Sequence, residues 1–93
     1  MINKELILGR CYVCGNRYYY KVTSLDTSSP ETVRCVNFNL KWQEEDNDVI
    51  VEECETNLIF LDVCTEISLE QFRQALMDLA QTLVDRIIGE KYE

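Results

Sequence analysis

Histidine is absent from this chain. That removes the commonest general base and the commonest metal ligand, and no Cys–His or Ser–His pair can form. Glycine occurs three times and proline once. Neither G-x-x-x-x-G-K-[ST] nor G-x-G-x-x-G occurs, so no phosphate-cradling loop is expected. No apolar run approaches the ~18 residues a membrane span needs. Lys4, Glu5 and Arg10 interrupt the start of the sequence, so no secretory signal is expected. Cations are also scarce, with nine Lys+Arg against 17 Asp+Glu and a formal charge of −8. Carboxylates are plentiful, but nothing in the sequence pairs two of them in a pocket. A chain of 93 residues has little volume for both a core and a buried catalytic site. Enzymatic activity is therefore not expected.

Hydrophobic residues make up 46% of the chain, enough for a core. One domain spanning 1–93 is expected. Arg17 to Leu25 (RYYYKVTSL) is rich in aromatic and β-branched residues and reads as a strand. Thr32 to Trp42 (TVRCVNFNLKW) alternates. Val36, Phe38, Leu40 and Trp42 share one face, while Cys35, Asn37, Asn39 and Lys41 share the other. That alternation predicts an antiparallel strand with one wet side. Val49–Cys54 and Leu58–Cys64 then read as a hairpin around Glu55-Thr56-Asn57, with the apolar second arm central in the sheet.

The C-terminal segment carries a helix signature. Ser68-Leu69-Glu70-Gln71 is a capping box. Leu69, Phe72, Leu76, Leu79 and Leu83 recur at helical spacing, and Gly89 is a C-terminal stop. The helix is expected over about 69–88. The fold class is therefore α+β, a three- to four-stranded antiparallel sheet packed on one face by a long C-terminal helix. Met77, Ala80, Val84 and Ile88 widen the apolar stripe. They extend the core face or, as Met77, Val84 and Ile88 in particular allow, form a helix-mediated homodimer contact.

Five cysteines, an odd number without an export signal, argue against a disulfide framework and for a reducing cytoplasm. Cys35, Cys54 and Cys64 read as small buried hydrophobes. Cys11 and Cys14 stand in Cys11-Tyr12-Val13-Cys14-Gly15-Asn16. This C-x-x-C-G resembles one knuckle of a zinc ribbon, in which a tight turn aims two thiolates at one metal. The second knuckle is missing. The resemblance implies zinc at Cys11 and Cys14 only if other cysteines complete the site. A thioredoxin-type redox motif should follow a buried strand and open a helix, whereas a Tyr-rich strand follows here.

Charge is unevenly placed along the chain. Residues 1–42 hold six cations against three acids, and residues 43–93 hold three cations against 14 acids. The densest acidic stretch is Glu44, Glu45, Asp46, Asp48, Glu52, Glu53 and Glu55. Asp46-Asn47-Asp48 lacks the glycine and the terminal Glu of an EF-hand loop. The acidic hairpin is either a solvated face or a surface aimed at a basic protein partner. In the second case its carboxylates occupy sites where that partner holds phosphates. In size, charge and lack of catalytic groups the chain resembles small phage-encoded inhibitors of host nucleases, anti-CRISPR proteins among them. That resemblance lies in bulk properties and in no motif. An alternative is a zinc-knuckle-like module, with Cys11 and Cys14 as ligands, that binds nucleic acid through the basic half, where Arg10, Arg17, Lys21, Arg34 and Lys41 are interleaved with Tyr12, Tyr18, Tyr19 and Tyr20. A net charge of −8 opposes direct nucleic-acid binding. No membrane partner is expected.

Overall fold

A computed structural model of the chain describes residues 4–15, 17–39, 51–85 and 88. After a single 3-10 turn at Lys4–Leu6 come strands β1 (Cys11–Cys14), β2 (Tyr18–Ser24), β3 (Thr32–Asn39) and β4 (Val51–Asn57). Helix α1 (Leu58–Val63), strand β5 (Thr65–Ile67) and helix α2 (Leu69–Val84) follow. The strands form one sheet in the order β4-β3-β2-β1-β5. Every neighbouring pair is antiparallel. The fold is the expected α+β, with five strands rather than three or four.

β2 and β3 form where alternation placed them. The expected positions of Leu40, Trp42, the acidic turn and Gly89 lie outside the described residues. β1 replaces the expected knuckle turn. The tight turn comes after it, where Gly15 adopts φ +65° and the Arg17 N–H donates to the Cys14 carbonyl at 3.3 Å. A left-handed residue there needs glycine's missing Cβ.

The LIFLDVC segment is helix α1, not the second arm of a hairpin. Asn57 sets the change of direction, its side-chain Oδ1 accepting from the Ile59 N–H at 2.7 Å. Leu58 and Leu61, three apart, pack on the sheet, while Ile59 and Val63 stay exposed. A short apolar run fits a strand and a buried helix turn equally well, so its pattern did not decide between them.

α1 also changes the account of the sheet faces. Val33 and Cys35 are completely buried, together with Ile7, Tyr12, Val22 and Leu61. Asn37 and Asn39, expected on a wet side, are buried as well. The 3-10 turn and α1 therefore cover one face. α2 covers the other, where Phe72 and Leu79 meet Phe38 and Cys11. Phe38 stacks on Tyr19 with centroids 5.0 Å apart and meets Phe72 edge-on at 5.4 Å.

α2 begins as expected. Ser68 Oγ accepts from the Gln71 N–H at 3.0 Å, and Gln71 Oε1 accepts from the Ser68 N–H at 2.9 Å. Its α-helical turns run to Val84, and Asp85 and Ile88 are π-helical. Its buried face is narrower than expected, comprising Phe72, Ala75, Leu79 and Leu83. Leu69 and Leu76, placed in the core stripe by spacing, are exposed.

Candidate binding surfaces

β4 is an open edge of the described sheet. Its side chains alternate across the sheet. Cys54 belongs to the core under α1, and buried Thr56 shares its face. Glu52 stands on that same face, opposite Asn37, whereas Glu53 and Glu55 stand on the α2 face, opposite Val36 and Arg34. The three carboxylates thus do not form one patch. Glu52 and Glu53 are exposed. Glu55 is engaged, its carboxylate lying 3.6 Å from the Arg34 guanidinium and accepting from Thr32 Oγ1 at 3.4 Å. Glu44, Glu45, Asp46 and Asp48 lie outside the described residues.

The basic and acidic halves interleave instead of standing apart. β4 pairs with β3 and β5 pairs with β1, so C-terminal acids are brought beside N-terminal cations. Arg10 lies 3.5 Å from Glu66, and Arg34 pairs with Glu55. These pairs are solvent-exposed and contribute little stability. They do reduce the charge polarity seen along the sequence. Three of the four tyrosines named for stacking are likewise occupied. Tyr12 is buried, Tyr19 stacks on Phe38, and Tyr20 meets Phe60 edge-on at 5.5 Å. Those three rings pack the core rather than forming a stacking platform for bases.

Cys11 and Cys14 lie three apart on a strand, so they point to opposite faces. Cys11 is buried with Phe38 and Phe72 beneath α2. Cys14 lies with Tyr20 and Cys64 on the α1 face. The two thiols therefore do not face one point as those of a knuckle do. Among the described residues, no group of three or more His, Cys, Asp or Glu side chains could hold a metal.

Sequence patterning did not reveal the thiols around Tyr20. Cys14, Cys54 and Cys64 all lie near its hydroxyl, and Cys35 neighbours both Cys54 and Cys64. Burial raises the Cys35 thiol, and the Thr56 hydroxyl partly offsets that rise. Burial, and then the neighbouring Cys14, push the Cys64 thiol up to about 11. The register was the missing signal. Cys35 and Cys54 are direct cross-strand partners, a pairing visible only once β3 and β4 are aligned. Beside Cys64, an open cleft of about 230 Å³ is lined by Leu6, Arg10, Tyr12, Leu61 and Glu66.

Several apolar side chains on and just beyond α2 are left uncovered. Leu69, Leu76, Met77, Val84 and Ile88 are all exposed. No described helix is long and apolar enough to cross a membrane. No protein-family model, curated protein or solved structure matches this chain.

Proposed function

We propose that the chain is a protein-binding module that acts by occupying a basic surface of its partner, in the manner of a small inhibitor of a nucleic-acid-binding protein. The observation that carries this reading is the exposure of Glu52 and Glu53 on an open edge strand, directly after the acidic run at 44–48 in the sequence. A rigid strand holds such charges in fixed positions, where they steer association and select a complementary partner. The interleaved halves narrow the reading. The binding charge is the acid left over after Arg10 and Arg34 have found their partners. The free thiols at all five cysteines fit a reducing compartment such as the cytoplasm.

The test is affinity capture from a bacterial lysate by the tagged full chain, repeated with Glu44, Glu45, Asp46, Asp48, Glu52 and Glu53 changed to Lys. A specific partner should be lost on charge reversal, and its capture by the unaltered chain should weaken steeply with salt. Retention of the same partner at the same strength would reduce the acidic strand to a solvated face.

A second reading, helix-mediated homodimerisation, is favoured by exposed apolar side chains on and just beyond α2, namely Met77, Val84 and Ile88. Light scattering decides it. A 10.9 kDa species at every concentration would end it.

A further inference from the structure

We propose that Cys14 and Cys64 form a cross-strand dithiol site that small-molecule disulfides convert reversibly into an internal disulfide. The β1–β5 register runs Cys11↔Ile67, Tyr12↔Glu66, Val13↔Thr65. Its next step sets Cys14 opposite Cys64. Cys64 has φ −82° and ψ 167°, which continues β5's extended backbone back to the end of α1. Directly opposed residues of an antiparallel pair share a face, with Cα atoms ~4.5–5.5 Å apart. That lies inside the ~4.4–6.8 Å that a disulfide spans. The Cys64 thiol donates to the Phe60 carbonyl at 3.3 Å, and Cys14 is close enough to help raise it. Neither is fully buried, and the cleft lined by Leu6, Arg10 and Tyr12 opens beside Cys64.

The other cysteines do not share this combination. Cys35 and Cys54 are also cross-strand partners, but Cys35 is 0% exposed. Thr56 also engages both of those thiols. Cys11 lies alone on the opposite face, beneath α2. The odd count therefore resolves into one partly exposed pair, one pair with a fully buried member, and one isolated buried thiol.

Chemically the site works by thiol–disulfide exchange. Burial holds the proton on Cys64, so first attack falls to Cys14. The Cys14 thiolate attacks one sulfur of a disulfide such as oxidised glutathione, forms a mixed disulfide and releases one glutathione thiolate. Cys14 is then no longer a thiol, so its part in raising Cys64 disappears. Cys64 gives its proton to solvent and attacks the Cys14 sulfur, and the second glutathione leaves. The protein loses two protons and two electrons, and one oxidised glutathione becomes two reduced ones.

The reduced full chain is incubated with oxidised glutathione, quenched in acid and alkylated. Digestion at Lys, Arg and Glu then separates Cys54 from Cys64, and fragment-ion sequencing separates Cys11 from Cys14. The expected product lacks two hydrogens, keeps three alkylatable thiols and contains a Cys14–Cys64 link that dithiothreitol reverses. In Cys64→Ser, the glutathione adduct on Cys14 should persist at least about tenfold longer than in the unaltered chain. Three results would each overturn the proposal: a Cys35–Cys54 link forming first, a lasting Cys14 adduct in the unaltered chain, or five unreacted thiols. The unaltered chain decides the matter alone if the variant does not fold.

Discussion

Replacing Phe38 by Ala tests the junction of the sheet with α2. The ring is 1% exposed and lies between Tyr19 and Phe72. Removing a buried Phe forfeits about 1.5–3 kcal/mol of transfer free energy. Each aromatic pair adds about 0.5–1.5 kcal/mol. The cavity left between β2, β3 and α2 brings the expected loss to about 3–5 kcal/mol. A domain of this size holds about 5–15 kcal/mol in total, so Phe38→Ala should leave it close to unfolding. Urea denaturation followed by far-UV circular dichroism measures the loss. The midpoint should fall while the slope stays unchanged. A Tyr19→Leu, Phe38→Leu double-mutant cycle should return about 0.5–1.5 kcal/mol of coupling. Phe60 packs against Tyr20 on the opposite face. Phe60→Ala should therefore add to Phe38→Ala within about 0.5 kcal/mol. A loss below about 1 kcal/mol for Phe38→Ala would refute the claim that this ring joins α2 to the sheet.

Two further perturbations follow from the same structure. Asn57→Ala removes the acceptor at the start of α1 and should cost about 0.5–2 kcal/mol in urea denaturation; no loss would question the cap. Alkaline pH should destabilise the chain. Below the ordinary thiol value of 9.0, folded and unfolded forms both hold the Cys64 proton, whereas between 9.0 and about 11 only the folded form keeps it. Stability therefore falls as pH rises through that window. Cys64→Ser should make the fall shallower, with Cys11, Cys35, Tyr12 and Tyr20, all raised by burial, contributing to the rest. An unchanged pH slope would show that Cys64 is not desolvated as the fold implies.

The elements legible in the sequence were those whose signal is local. The Ser68–Gln71 capping box is chemistry across four residues, and both of its hydrogen bonds form. β2 and β3 each hold enough aromatic and β-branched residues to declare themselves. β1 is only four residues long, and its cysteines drew it toward a turn. The glycine that suggested that turn does adopt a left-handed conformation, but it closes the hairpin between β1 and β2. The acidic residues were legible as a run, yet not as a surface, because strand alternation divides Glu52 from Glu53 and Glu55. Nor could composition show that Arg10 and Arg34 would meet acids from the distant half, since that depends on strand order.

The largest departures share one cause. With 58–64 taken as a strand, the chain has one helix and can cover only one sheet face. Asn37 and Asn39 then mark the wet side by their polarity. Once α1 forms, the helical spacing of Leu58 and Leu61 supplies a second cover, and the face carrying Val33, Cys35, Asn37 and Asn39 goes inside. Asn37 is an exception to the rule that buried polar groups find partners, since its side-chain Oδ1 is buried without a hydrogen bond among the described residues. The same cover brings Cys14, Cys35, Cys54 and Cys64 together around Tyr20. The one signal able to correct all of this from sequence was Asn57. An asparagine directly before an apolar run is a helix start as readily as a hairpin turn. Assigning it to the turn misplaced α1, the second core and the thiol pair at once.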